Sequence, residues 1–250
     1  MKLVVSLTSY PLRYPTLHLC IESLFSQTVS PDSIVLYIYK HDIPLPKEVI
    51  TYLKKGLEIR LVDDDLKSHK KYFYAMQEFS DEIIITVDDD VIYPINLIEK
   101  LLLSFKTFPK AVSAGRAHGI CLKEDGTPSR YLDWEWESNN YCNPSYRLMA
   151  TGVGGILYPP HCLVSETFNT SSIKKYCLTQ DDVWLKCMEI ISKVPVVLIN
   201  QKSQHPTGIP NVFTKGLYLE NKLNGGTDRA LGLILKEYAI DLERIFEEYE

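Results

Sequence analysis

The sequence lacks any long apolar run. A membrane-crossing helix needs about 18 or more consecutive apolar residues, and no such stretch occurs, so no spanning helix is expected, while peripheral membrane contact is compatible with the sequence. The N-terminus, MKLVVSLTSYPLR, carries an apolar stretch of about five residues where a secretory signal needs about 7–15; it reads as a first β-strand. Positive charge is not in excess either. The net charge of −5 and pI near 5.7 argue against nucleic acid as a partner, and only Lys67, Lys70 and Lys71 form a local basic patch. Six cysteines are present, at 20, 121, 142, 162, 177 and 187, and no two make a C-x-x-C pair. That spacing excludes the usual structural zinc sites. A chain of 250 residues, 45% hydrophobic, buries its own core without a disulfide framework. Reduced thiols in a cytoplasmic protein, compatible with attachment at the inner face of the membrane, are the expectation. Internal repeats and low-complexity linkers are also missing.

What is present is alternation. KLVVSLTS reads as a strand, and PTLHLCIESLFSQ places Leu17, Cys20, Ile21 and Leu24 at helical spacing. SIVLYIYK, LEIRLV and EIIITV read as further strands, with EVITYLKK, HKKYFYAMQEF and INLIEKLLLSFKTF as helices between and after them. A βαβαβαβα order predicts an α/β fold, a mostly parallel sheet with crossover helices. Ligands of such sheets bind beyond the carboxyl ends of the strands. After residue 110 the rhythm breaks. AVSAGRAHGICL reads as a strand entering a Gly turn, a long polar and aromatic stretch follows, and GGILYPP, TQDDVWLKCMEIISK and VPVVLIN resume as strand, helix and strand. The last 25 residues form a helical, acidic tail.

Two acid runs close predicted strands. In IIITVDDDVIYP, strand alternation puts Asp88 and Asp90 on one face and Asp89 on the other. Paired carboxylates at a strand end suit a hard divalent cation with oxygen ligands, Mn²⁺ or Mg²⁺; an acidic turn leading into the next helix is the plain alternative. The run at 63–65 is followed at once by Lys67, Lys70 and Lys71, which neutralise it, and reads as a solvated loop. Lys70 or Lys71, near a helix start, is placed to meet a diphosphate. In LTQDDVWLK, Thr179 reads as an N-cap with Asp182 three residues on, or Asp181 and Asp182 as a general base held at a helix N-terminus, ionised and weak because the dipole lowers its pKa. His205, in a Pro- and Gly-containing loop after the last strand, is either structural or a late metal ligand. Trp134 and Trp136 are either core aromatics or a platform for sugar C–H groups. Gly152, Gly154 and Gly155 allow close backbone approach but lack the context of a dinucleotide fingerprint.

Taken in order, VVSLTSYPLR, VDDDVIYP, GVGGILYPP and TQDDVWL resemble the first strand and nucleotide loop, DxD motif, acceptor strand and ED-type motif of bacterial GT-A-fold glycosyltransferases close to family 2, over residues 1 to 206. The resemblance implies a catalytic domain at 1–206, with a nucleotide-sugar half at 1–110 and an acceptor half at 111–206, and a helical extension at 207–250. It implies a UDP-sugar donor, a saccharide or lipid-linked saccharide acceptor, and inverting hexosyl transfer in bacterial surface polysaccharide synthesis. Asp88 and Asp90 would hold Mn²⁺ or Mg²⁺, with His205 as a further ligand. Thr8, Tyr10, Arg13, Asp42, Lys71, Asp88 and Asp89 would bind the donor; Trp134, Gly154 and Gly155 would line the substrate pocket; Asp182, paired with Asp181, would be the base. The sequence departs from the family pattern twice: YKHD replaces the common D-G-S turn around Asp42, and Asp181–Asp182 replaces Glu–Asp. Two other readings are set against this one. A haloacid-dehalogenase-type phosphatase also places DxD after a strand, but near its N-terminus and with Thr or Val where Ile92 stands. A non-catalytic nucleotide-sugar or carbohydrate binder would keep the fold without turnover.

Overall fold

The computed structural model describes residues 1–137, 140–199, 205–210 and 225–249. The strands are β1 (Leu3–Thr8), β2 (Ser33–Tyr39), β3 (Leu57–Val62), β4 (Ile83–Thr86), β5 (Val91–Ile92), β6 (Val112–Ala114), β7 (Ala117–Gly119), β8 (Leu148–Ala150), β9 (Ile156–Tyr158), β10 (Val196–Leu198) and β11 (Thr207–Gly208). The helices are α1 (Tyr14–Phe25), α2 (Lys47–Ile50), α3 (Lys70–Glu78), α4 (Leu97–Thr107), α5 (Thr170–Tyr176), α6 (Asp181–Ile191), α7 (Gly226–Glu237) and α8 (Leu242–Tyr249).

Seven strands make one sheet in the order β3-β2-β1-β4-β9-β6-β10. β3, β2, β1 and β4 are parallel, as is the β6–β10 pair; β9 runs antiparallel between β4 and β6. This is the expected α/β class: a Rossmann-like, mostly parallel mixed sheet flanked by helices. The central strands are mostly apolar because helices cover both faces; every residue of β4 is buried, Thr86 included. On α1, the predicted stripe of Leu17, Cys20, Ile21 and Leu24 is the buried face.

Three segments differ from their predicted form. EVITYLKK is one short turn of α-helix followed by a 3-10 turn at Thr51–Lys55, too short for regular helix between two adjacent strands. AVSAGRAHGICL is split between β6 in the large sheet and β7 in a separate hairpin with β8. The acidic tail is two helices, broken where Ala239 takes a left-handed backbone (φ 50°). The tail's Ala230, Leu231, Ile234, Leu242 and Phe246 share a core with Trp184 and Met188 of α6. Among the described residues, no helix is long and apolar enough to cross a membrane.

Candidate active site at the carboxyl ends of the strands

β4 ends at Thr86, so Asp88, Asp89 and Asp90 lie beyond the strand, the last two on a bend, and strand alternation does not govern them. Like charges on a bend splay. Asp88 turns toward α3, while Asp89 and Asp90 both turn to the loop after β1. Asp89 accepts a hydrogen bond from Ser9 Oγ, and Asp90 pairs with Arg13 Nη2 at 3.1 Å. The backbone beneath is fixed: Asp88 N–H donates to the Tyr93 hydroxyl (2.8 Å) and Cys20 Sγ to the Asp88 carbonyl (3.2 Å). Burial pushes the Asp89 carboxyl up to about 7, helped by Asp90 and Asp88 and opposed by Ser9 and Arg13.

Lys71 joins this run to the second acid pair. Its side chain is 3% exposed, and Nζ lies 2.5 Å from Asp88 Oδ1 and 2.7 Å from Asp181 Oδ2. Burial alone would lower its pKa; Asp181, Asp88 and Asp182 more than offset that and hold it charged. The sequence reading placed Lys71 at a diphosphate, whereas its partners here are two carboxylates. Ser68 Oγ donates to Asp181 Oδ1 at 2.7 Å. Burial would raise the Asp181 carboxyl, but Lys71, His69 and the Ser68 bond bring it to about 2.

Asp182 behaves differently. Its Oδ1 accepts the Gly152 N–H at 3.0 Å, and burial followed by the neighbouring Asp181 charge raises its pKa well above the usual carboxylate range. The expectation of a dipole-weakened base is therefore reversed: burial first, and the Asp181 charge after it, outweigh Lys71 and the Gly152 hydrogen bond. Nor does Thr179 cap α6. The cap position is Gln180, without a capping side-chain bond, and both acids belong to the first turn.

The glycine run closes the site from β9. A Cβ on Gly152 would lie 2.6 Å from Lys71 Nζ and 2.8 Å from Asp88 Oδ1; one on Gly154 would lie 2.4 Å from the Arg116 nitrogen. Gly155 needs its positive φ of 78° to turn the chain into β9. These positions carry glycine because charged groups and backbone occupy the space of a side chain.

The remaining expected residues are placed as follows. Thr8 Oγ1 donates to the Tyr37 carbonyl (2.7 Å) and Tyr10 is partly exposed, both at the mouth after β1. Asp42 lies after β2, and its carbonyl accepts the Tyr14 hydroxyl (2.8 Å). Trp134 is not a platform: it is 4% exposed and its indole N–H is given to the Ser129 carbonyl, so no ring face is left for a sugar. The half-buried ring is Trp136, packed on His118 and Tyr131. His205 does not join Asp88 and Asp90. β11 pairs antiparallel with β5 (Thr207 with Ile92, Gly208 with Val91), which carries residue 205 away from Asp90; it is exposed and lines a depression with Arg116, Glu137 and Leu198. Among the described residues, no three His, Cys, Asp or Glu side chains converge as a pre-formed metal site. Asp90 Oδ1 is nonetheless buried without a hydrogen-bond partner, an orphan oxygen that a divalent cation would satisfy.

Ser9, Ser68, His69 and Tyr93 were not read from the sequence as site residues. Ser9 and Ser68 adjoin loops already singled out, and a small hydroxyl next to an expected acid was the available signal. Nothing in the spacing marks Tyr93 or the buried His69, which contacts the Tyr72 hydroxyl and the Cys177 carbonyl.

No family profile matches the chain, and no curated protein matches it in sequence. Among solved structures, that of CMP:2-keto-3-deoxy-manno-octonic acid synthetase complexed with CTP is similar at 11% identity with a TM-score of 0.49, over 84% of this chain and 94% of that one. A likeness of that size says nothing about activity.

Proposed function

We propose that this chain is a GT-A-type glycosyltransferase that moves a sugar from a nucleotide-sugar, a UDP-sugar by resemblance, to a hydroxyl of a saccharide or lipid-linked saccharide, with inversion. One observation carries the reading: Lys71 holds the acid run after β4 against the acid pair that opens α6, within 2.5 and 2.7 Å of each. Two acidic motifs 93 positions apart (88 and 181) meet through Lys71 beyond the strand ends, where open α/β sheets bind ligands. The α6 acids stand in the first helical turn, where the dipole favours them, yet no Thr179 cap holds them, and Asp88, Asp89 and Asp90 are each engaged by a separate partner, Lys71, Ser9 and Arg13.

The two acids of α6 then divide the work. Asp181, tied to Lys71 and Ser68, anchors and stays ionised. Asp182 is half-buried with a raised pKa, so once ionised it is a strong proton acceptor. It takes the proton of the acceptor hydroxyl as that oxygen attacks the anomeric carbon from the face opposite the leaving nucleoside diphosphate. Arg13 and Lys71 set positive charge beside the donor end of the cleft. Asp90, whose Oδ1 is without a hydrogen-bond partner, and Asp88 would hold Mn²⁺ or Mg²⁺, and a bound cation would neutralise charge on the leaving diphosphate.

The test is UDP release from a panel of UDP-sugars with and without Mn²⁺, read beside binding by thermal shift. Release that needs Mn²⁺ and is lost in Asp182→Asn, with donor binding retained, supports the proposal. Near-normal transfer by Asp182→Asn removes Asp182 as the base. Binding without release across an acceptor panel favours the non-catalytic binder, and a trapped aspartyl-phosphate mimic favours the phosphatase.

A further inference from the structure

We propose that Lys71 is a positioning residue whose single ammonium couples the donor end of the cleft, at Asp88, to the base end, at Asp181 and its neighbour Asp182. What engages Asp88 rests on the function proposed above; the coupling itself rests on geometry. Nζ is shared between carboxylates from two elements that have no other charged link through this lysine: the bend after β4 and the start of α6. The Lys71 carbonyl accepts the Ser6 hydroxyl of β1, so the backbone of this residue is held while its ammonium is not held by either acid alone. Gly152 walls the shared site, with space for the ammonium only because it lacks a Cβ.

The two partners are unequal in access. The Asp88 side chain is 31% exposed and that of Asp181 is 12% exposed. A ligand entering the cleft reaches Asp88 first. Lys71 cannot follow its partner into solvent, because a buried ammonium without a counter-charge is costly. It therefore shifts to Asp181, which is already steadied by Ser68. That shift strengthens the hold on Asp181 in the first turn of α6 and so fixes its neighbour Asp182, whose Oδ1 is on the Gly152 N–H. Engagement at one end thus sets the base at the other.

A double-mutant cycle on the full chain reads the coupling without reference to activity. Asp88→Asn and Asp181→Asn, alone and together, are compared by urea unfolding with Lys71 present and with Lys71→Met. With Lys71, one carboxylate suffices to hold the ammonium and losing both does not, so the double variant should unfold more readily than the product of the singles by about tenfold. With Lys71→Met this excess should vanish; additivity in both backgrounds overturns the proposal. If Lys71→Met does not fold, Lys71→Gln serves as the neutral background, and Lys71→Arg, which keeps the charge, should retain the excess. The ligand arm is UDP with Mn²⁺ by calorimetry. Asp181→Asn, at the far end, should weaken UDP–Mn²⁺ binding about tenfold by leaving Lys71 wholly to Asp88. A loss of UDP binding in Lys71→Met with none in Asp181→Asn overturns coupling in favour of direct diphosphate contact. Failure of the unaltered chain to bind UDP, with the unfolding cycle intact, refutes the donor reading and leaves the Lys71 bridge standing.

Discussion

Gly152 makes the site's economy visible at a single position. Its amide donates to Asp182, and the space of its absent side chain is filled by Lys71 Nζ and Asp88 Oδ1. Gly152→Ala should therefore displace both charged groups and lower transfer at least tenfold, with a far smaller change in melting temperature than in kcat. Equal losses in both would make Gly152 a packing residue only. The two acid runs separate at this scale as well. Asp63 pairs with Lys40, Asp64 with Lys174 and Asp65 with Lys70 and Lys67, so each acid of this run has its own lysine. Asp90→Ala should abolish Mn²⁺-dependent donor binding and Asp65→Ala should not, as measured by thermal shift with UDP and Mn²⁺; equal loss from both would undo the ranking. The sequence made the acids legible because a run of carboxylates after an apolar strand is conspicuous. It could not show where Lys71 points, since one of its partners lies 110 positions on (181 against 71). Trp134 misled for a related reason: two tryptophans a residue apart look alike in sequence, and only packing shows that the first is core and the second half-open.

Helix α6 has two functions along its length. Its first turn presents Asp181 and Asp182 to the cleft, while its later turns bury Lys186 and Glu189, 3.6 Å apart. Burial raises the Glu189 carboxyl from 4.5 to about 7, against the pull of Lys186. The folded state then binds more protons than the unfolded state between those values, so stability falls as pH rises from about 4.5 to 7. Glu189→Gln should flatten this part of the stability–pH curve in urea unfolding; an unchanged slope would assign the dependence elsewhere. Apart from EVITYLKK and the two-residue β5, the strands and helices of residues 1–110 were legible because period and composition agreed along each segment. The elements after 110 were less so. β6, β7 and β8 are each three residues long, shorter than a periodicity needs to declare itself, and their pairing is decided by contacts across the fold.

The whole molecule is tied together at its end. α7 and α8 bury Leu231, Ile234, Leu242 and Phe246 against α6 and its neighbours, and Phe246 also carries the Arg147 guanidinium over its ring, 4.4 Å from the centroid. Each such side chain contributes about 1.5–3 kcal/mol on burial, and together they rival the usual folding margin of about 5–15 kcal/mol. A chain truncated after residue 225 should show a broad or absent thermal transition, and an unchanged melting temperature would make the tail dispensable. The short pairing of β11 with β5 has a different consequence. Ile209, buried, donates its N–H to the Asp90 carbonyl at 3.0 Å, while Val87 N–H on the other side of the run donates to Ser6 of β1. The main chain of the acid run is pinned at both ends before any ligand arrives. Recognition there is left to side-chain rotation, so it should be fast and carry little ordering entropy. Calorimetry across temperature would then give a heat-capacity change no larger than the ligand's own buried surface requires, without the excess that accompanies a segment folding around its guest.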